Sequence, residues 1–157
     1  MARFRASVDW ALAPGEDFAA GRYVRGHAVG FEDGPQLRGT ASHHVVGNRW
    51  AEAGAADPEQ MMVAAIASCH MLSFLHVARE AGFIVTRYRD EAVGVMEKNA
   101  AGELWVSKVT LHPEISYVGA QPDAGQRERM HHAAHEVCFI ANSVKTEIVV
   151  EEKVAAG

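Results

Sequence analysis

Cysteine is the residue type in this chain best suited to redox chemistry, and the chain has only two, Cys69 and Cys138. The reactive form of a cysteine is the thiolate, and burial among apolar side chains raises a thiol's pKa and makes it inert. Cys69 lies in a largely apolar stretch. A functional Cys69 therefore needs a positive charge from another part of the chain. The alternative is that Cys69 is a small buried hydrophobic residue without chemistry.

Arg49 is the candidate for that charge, because it lies in the segment that leads into the apolar stretch. A guanidinium can bond a thiolate and still be held by a carboxylate, for which Glu59 is the candidate. Glu59 and Cys69 are ten residues apart on one predicted helix, about 15 Å, which one guanidinium is not expected to bridge. We therefore expect Arg49 to serve the Cys69 of a second subunit. Arg38 is the alternative arginine.

The second thiol, Cys138, follows a second predicted helix. Peroxide converts a thiolate into a sulfenic acid, and a nearby thiol condenses with that acid to a disulfide. Such a bond requires the two Cα atoms to come within about 7 Å. Spacing along the chain does not determine whether Cys69 and Cys138 meet this condition.

The element that must position Cys69 is a helix predicted from Asp57 to Gly82. Asp57 and Gln60 have the spacing of a capping box, Pro58 suits the first helical position, and Gly82 suits the position just past the end. Apolar residues cover most of the helix circumference, which is typical of a helix buried in a domain or an interface. We infer that a second subunit covers what one small sheet cannot, giving a symmetric dimer.

The remaining sequence predicts six strands and a second, more polar helix. Strands are expected over residues 3–12, 24–31, 36–41, 83–97, 104–117 and 146–152, the polar helix over 122–137, and a short helical turn over 140–144. Asp33 and Gly34 mark a tight turn, and Pro113 suggests a sheet edge or a bulge. The segment 42–56 is expected to be irregular and the terminal VAAG to fray. This order indicates an α+β fold, with an antiparallel sheet and helices on one side of it.

Length and charge exclude several classes of protein. A chain of 157 residues predicts a single domain over 1–157. The net charge of −5 and the isoelectric point near 6.0 argue against a nucleic-acid partner. We also expect no signal peptide and no membrane partner, because no run of about 18 apolar residues lacks charges and His. The expected location is cytoplasmic, where two cysteines are thiols more often than a permanent disulfide.

Two segments of the chain resemble the osmotically inducible protein C / organic hydroperoxide resistance (OsmC/Ohr) family. The first includes Arg49-Trp50, the DPEQMM that begins at Asp57, and the ASC that ends at Cys69. The second is EVCFIANSVK, residues 136–145. The resemblance covers nearly the whole chain, including the order of the strands.

The resemblance implies an OsmC-like fold, in which antiparallel sheets wrap around long central helices of an intertwined homodimer with two interfacial active sites. It implies an oxidoreductase of the oxidative stress response, an antioxidant peroxidase that reduces organic hydroperoxides or hydrogen peroxide. Cys69 would be the peroxidatic cysteine and Cys138 the resolving one, with Arg49 and Glu59 as the arginine–glutamate pair. An external dithiol, such as a lipoylated protein, would reduce the redox-active disulfide. No cofactor and no metal are implied.

Several histidines depart from the family pattern or add to it. His70 stands where the family commonly has Phe, and Phe139 where it commonly has Pro, which indicates a divergent OsmC-like branch. The second predicted helix carries His131, His132 and His135. His131 and His135 share the face on which the second cysteine follows, and such spacing can hold zinc. The alternative function is therefore a redox-silent OsmC-like dimer that binds a small molecule or a metal in the interfacial cleft.

Overall fold

The computed structural model of the protein describes residues 1–153, so the predicted fraying of VAAG lies outside the described part. The elements are β1 (Ala6–Asp9), β2 (His27–Phe31), β3 (Gln36–Gly39), α1 (His43–Val46), α2 (Pro58–Glu80), β4 (Ile84–Asp90), β5 (Val93–Lys98), β6 (Leu104–Leu111), β7 (Pro113–Val118), α3 (Ala124–Val137), a 3-10 turn (Ala141–Ser143) and β8 (Glu147–Val150). The expected α+β class is confirmed. The chain divides into two compact units, Met1–Met61 and a second that begins at Met62. A single domain over 1–157 stays a prediction.

The first unit is built on a three-stranded antiparallel sheet in the order β1-β2-β3. The predicted tight turn between β2 and β3 is present, with Asp33 in the left-handed region at φ 56°. The segment 42–56 is less irregular than predicted, because it contains the short helix α1. Ser42 caps this helix with its side-chain oxygen, which accepts from the N–H of His44.

The capping box predicted at the start of α2 is present. The N–H of Gln60 donates to Oδ1 of Asp57 at 2.8 Å, and the N–H of Asp57 donates to Oε1 of Gln60 at 3.1 Å. The helix ends at Glu80, and Gly82 follows with φ 83°. Left-handed backbone of this kind favours glycine, as expected from the sequence.

The chain buries only one stripe of α2, and the buried residues are Ile66, His70, Phe74 and Ala78. Their spacing of four keeps them on one helix face. Leu72, on the opposite face, is 61% exposed. By length and composition alone α2 could also cross a membrane, with a mean hydropathy of 1.7, a property that the core helices of soluble proteins share. Most of its apolar surface is thus left uncovered by its own chain.

The long hairpin predicted over 83–97 and 104–117 is interrupted, and this detail of the prediction was wrong. β4 pairs with β7 in one sheet, and β5 pairs with β6 in another. The break lies at His112, whose N–H donates to Oδ1 of Asp90 at 2.7 Å instead of to a strand. Pro113 follows and has no N–H to offer. Each half of the predicted hairpin therefore passes from one sheet to the other at the same position. That position lies between the pair Asp90↔Pro113 of the β4-β7 sheet and the pair Val93↔Thr110 of the β5-β6 sheet.

The last strand corrects a second prediction, since the sheets are not wholly antiparallel. β8 lies beside β6 and runs parallel to it, with Lys108 opposite Glu147 and Leu111 opposite Val150. The crossover that a parallel pair requires is supplied by the chain from β7 through α3 and the 3-10 turn. The strand order in this sheet is β5-β6-β8.

Two hydrophobic clusters hold the second unit together and place α2 in it. One joins the N-terminal half of α2 to the β5-β6-β8 sheet through Ile66, Val109 and Leu111. The other joins its C-terminal half to α3 and the β4-β7 sheet through Phe74, Ala78, Ile115, Met130 and Ala134. Both clusters pack against the same face of α2. They therefore fix the rotation of the helix about its own axis within the second unit.

The contact between β5 and α2 gives a stability test. A Cβ built on Gly94 would lie 2.6 Å from Cγ2 of Val63, and a β-branched side chain has little freedom to move away. We expect Gly94→Ala to lower the free energy of unfolding by about 1–3 kcal/mol. Val63→Ala in the same chain should restore most of that loss. Urea denaturation at one protein concentration measures both, and an equal loss with and without Val63 would contradict this packing.

Candidate redox site

The structure brings the two cysteines together inside the second unit. Both are free thiols; Cys69 is half-buried and Cys138 is 1% exposed. Burial raises the pKa of Cys138, and a hydrogen bond to the sulfur of Cys69 raises it further. That bond stabilises the protonated form of Cys138, which makes Cys138 a donor toward Cys69. The thiol carried by α2 and the thiol that follows α3 thus interact directly.

The backbone of the turn after Cys138 contacts both sulfurs. The N–H of Ile140 donates to Sγ of Cys69 at 3.5 Å, and the N–H of Ala141 donates to Sγ of Cys138 at 3.4 Å. Nothing in the residue types of this segment pointed to these donors, because every residue except proline carries an N–H. Only the fold shows which of them point at sulfur.

The elements that carry the thiols are fixed by local sequence as well as by packing. Asp123 and Gln126 form a capping box at the start of α3, with both bonds at 2.8 Å. The helix stops at Val137, and Cys138 takes an extended conformation (φ −74°, ψ 110°). This stop allows the chain to turn immediately, so that the residues after Cys138 come back to α2.

The predicted arginine–glutamate pair does not form within this chain. Among residues 1–153, Arg49 makes no ion pair, and its guanidinium carbon lies 4.8 Å from the centre of the Trp50 ring. Glu59 has one buried carboxylate oxygen, Oε2, without a hydrogen-bond partner. A buried carboxylate oxygen without a donor is unfavourable, so this oxygen is an unsatisfied acceptor among the described residues.

Arg38 is paired with a carboxylate, as the predicted site requires of its arginine. Its Nε donates to Glu52 at 2.8 Å and its Nη2 at 2.5 Å, a two-bond pairing that fixes the plane of the guanidinium. The pair is tightly packed, because a Cβ on Gly26 would overlap the Glu52 carboxylate. The side chain of Arg38 is still 55% exposed.

His70 is buried and forms a pair with His131 of α3. Nε2 of His70 lies 3.0 Å from Nδ1 of His131, and the two rings are nearly parallel. On its other side, Nε2 of His131 lies 3.6 Å from the carboxylate of Glu152, which also pairs with Arg127 at 3.1 Å. Burial lowers the pKa of His70 to about 4, and the charges of His131 and His135 contribute.

The histidines of α3 line a groove but form no metal site. The groove has a volume of about 550 Å³ and lies between α3 and β8, with His131, His132, His135 and Glu152 among its lining residues. In the part of the chain that the structure describes, no group of three or more His, Cys, Asp or Glu side chains could hold a metal ion. Of the two histidines whose spacing suggested zinc, His131 pairs with His70.

Comparisons with known proteins concern the family and the fold of the chain. The model of the family described as OsmC-like protein matches residues 51–153. The structure of an OsmC-like protein of unknown function from Vibrio cholerae is 42% identical, with a TM-score of 0.93 over 98% of this chain and 100% of that one. No curated protein sequence matches.

Two further structures are organic hydroperoxide resistance proteins, and both share the fold. The one from Elizabethkingia anophelis is 18% identical, with a TM-score of 0.71 over 100% of this chain and 98% of that one. The one from Bacillus subtilis is 17% identical, with a TM-score of 0.66 over 97% of each chain. At these identities the similarity concerns the fold alone.

The buried histidine predicts how stability depends on pH. The pKa of His70 is about 4 in the folded chain and about 6.5 when unfolded, so on acidification the unfolded chain binds this proton first. His70 therefore contributes stability that is complete above about pH 6.5 and lost as the pH falls toward 4. The contribution is about 3 kcal/mol at most.

The test compares His70→Gln with His76→Gln, a matched change at an exposed position of the same helix. The free energy of unfolding should become less dependent on pH between 7 and 4.5 in the first variant only. Chemical denaturation across that range measures the slope. Equal slopes in wild type and His70→Gln would mean that His70 is protonated as readily in the folded chain as in the unfolded one.

Proposed function

The chain belongs to the OsmC-like protein family, and on that premise we propose that it is a thiol-dependent peroxidase acting on organic hydroperoxides. Cys69 is the peroxidatic cysteine and Cys138 the resolving cysteine. An external dithiol, such as a lipoylated protein, restores the reduced enzyme. A cytoplasmic location stays a prediction.

The contact between the two thiols is the observation that supports this proposal. Cys69 and Cys138 come from different elements, far apart in sequence, and their sulfurs share one hydrogen-bonded cluster. A pair of cysteines that served only as small core residues would not need backbone donors aimed at both sulfurs.

The proposed reduction of a hydroperoxide has three steps. The Cys69 thiolate attacks the outer peroxide oxygen; an S–O bond forms, the O–O bond breaks, and the leaving alkoxide takes a proton to become an alcohol. Cys138 then attacks the sulfur of the sulfenic acid, the S–O bond breaks, and water leaves as the disulfide forms. The external dithiol reduces this disulfide and is itself oxidised to a disulfide.

The positive charge that the first step needs is proposed to come from a second copy of the chain. The exposed face of α2, including Leu72, requires cover, and a two-fold pairing of the helix supplies it. Arg49 would then pair with Glu59 and reach the Cys69 thiolate of the other subunit, because one guanidinium is not expected to bridge the Glu59 and Cys69 of a single chain. Arg38 is the alternative, and its two-bond pairing with Glu52 favours it as a fixed donor.

Cysteine variants test the chemistry. Cys69→Ser should abolish the consumption of organic hydroperoxide, because the nucleophile is lost. Cys138→Ser should release one equivalent of alcohol per chain and then stop, leaving a sulfenic acid that mass spectrometry detects after trapping with dimedone. In the wild type, one equivalent of peroxide should remove two free thiols per chain.

Unchanged peroxide consumption by Cys69→Ser would rule out the proposed mechanism. Intact thiols in the wild type after excess peroxide would instead support the redox-silent small-molecule binder. Met71→Leu is a control on the same helix, since it changes a half-buried side chain that takes no part in the proposed steps.

Mixing experiments test whether the arginine acts across the dimer. Arg49→Gln should lower kcat/KM for hydroperoxide about 100-fold, as loss of a charge aimed at a reacting group does. When Arg49→Gln chains are unfolded and refolded with Cys69→Ser chains, mixed dimers contain one site with both native residues if the arginine acts in trans. The mixture should therefore regain activity that neither variant has alone.

The same mixture made with Arg38→Gln decides between the two arginines, because only the variant of the true donor is complemented. An arginine that acts within its own chain predicts no recovery in either mixture. Arg79→Gln, an exposed arginine on α2, serves as the control for loss of one positive charge and should leave the rate unchanged.

A further inference from the structure

We infer that the turn after Cys138 is a backbone hydrogen-bond donor shared by the two sulfurs, and that the N–H of Ile140 stabilises first the Cys69 thiolate and then the Cys138 thiolate. This inference rests on the proposed function and deepens it. The main-chain N–H of Ile140 would then stabilise the negative charge of the thiolates together with a side-chain cation.

The position of the turn supports this role. The N–H of Ile140 has its only hydrogen bond within the described chain to Sγ of Cys69, at 3.5 Å. The N–H of Ala141 bonds Sγ of Cys138 at 3.4 Å. The N–H groups of Ala141 and Ile140 also lower the pKa of Cys138, against the larger raising effect of its burial. The N–H of Ile140 therefore contacts Cys69 and acts on both thiols.

The turn is held rigidly enough to present these donors without reorganisation. The N–H of Asn142 donates to the carbonyl of Cys138 at 3.1 Å, and that of Ser143 donates to the carbonyl of Ile140 at 3.0 Å. Two side chains add to this, with Asn142 bonding the Glu136 carbonyl at 2.9 Å and Ser143 bonding the Phe139 carbonyl at 2.7 Å. Donors fixed before the reaction stabilise a developing charge more effectively than donors that must reorient.

The side chain of Ile140 anchors the donor from the other direction. It packs against the cluster of Ile66, Val109 and Leu111 that also fixes the N-terminal half of α2. Phe139, the preceding residue, is 83% exposed and contributes no such anchor. One hydrophobic cluster therefore sets both the helix that carries Cys69 and the N–H that faces its sulfur.

The N–H of Ile140 acts both when Cys69 attacks the peroxide and when Cys138 attacks the sulfenic acid. A hydrogen bond to a charged acceptor is roughly twice as strong as one to a neutral acceptor, so the N–H of Ile140 favours thiolate over thiol at Cys69. Once Cys69 is oxidised its sulfur is neutral, and the charged sulfur that remains beside the turn is that of Cys138 as it attacks. The same donor then stabilises this second nucleophile.

Two substitutions at one position separate the N–H from the side chain. Ile140 has φ −70°, which matches the φ that proline requires, and Ile140→Pro removes the N–H. Ile140→Ala removes a similar part of the side chain and keeps the N–H. The pH dependence of Cys69 alkylation by iodoacetamide, resolved by peptide mass spectrometry, should show about three- to tenfold less thiolate in the proline variant than in the alanine variant.

A backbone ester provides a version that leaves the side chain intact. Residues 138–157 can be synthesised with an ester in place of the amide between Phe139 and Ile140 and joined to residues 1–137 by ligation at Cys138, giving the full chain. The control carries the ester before Lys145, whose N–H makes none of the described bonds to sulfur or within the turn. Only the first ester should reduce the thiolate fraction at Cys69, with circular dichroism confirming that both chains fold.

The outcomes distinguish this inference from the proposed function, because alkylation needs no peroxide. Equal thiolate fractions in both esters, or in the proline and alanine variants, would overturn the role of the Ile140 N–H even if the wild type consumes hydroperoxide. A reduced fraction in a protein that consumes no hydroperoxide would keep the role of the N–H and remove the peroxidase.

Discussion

The rotation of α2 about its own axis is the constraint on which the candidate site depends. Ile66, Phe74 and Ala78 lie on one side of the helix, where they form part of two hydrophobic clusters. Because neighbouring residues on a helix point about 100° apart, this packing directs Cys69 toward the turn after α3 and His70 into the core. A rotation by one residue would carry Cys69 to the buried position of His70 and His70 out of it. The position of the Cys69 sulfur is therefore set by the apolar packing of this helix face.

The parts of the fold that were predictable depend on short-range rules. The ends of α2 followed from Asp57, Gln60 and Gly82, whose roles involve neighbours within a few residues. The break in the long hairpin was missed because it combines a proline with the acceptance of a backbone N–H by Asp90, more than twenty residues away. The parallel placement of β8 was missed for the same reason, since nothing in an apolar strand states which partner it joins.

The candidate site divides in the same way. The two cysteines were identifiable by residue type, but their contact depends on how α3 ends and turns. The pairing of His70 with His131 could not be foreseen, because a histidine on an apolar helix gives no sign of its partner. In the first unit, Arg38 meets Glu52 across a loop, which sequence spacing does not determine. Local patterns thus identified the reactive groups, and long-range packing selected their neighbours.

The parallel strand at the end of the chain has a consequence for synthesis of the protein. β8 fills its place beside β6 and leads directly into Glu152, the carboxylate that meets Arg127 and His131. A nascent chain that lacks this segment leaves one edge of β6 unpaired, and Arg127 and His131 of α3 lack the carboxylate of Glu152. The second unit can therefore close only after β8 has been synthesised, and until then its apolar surface is available to chaperones.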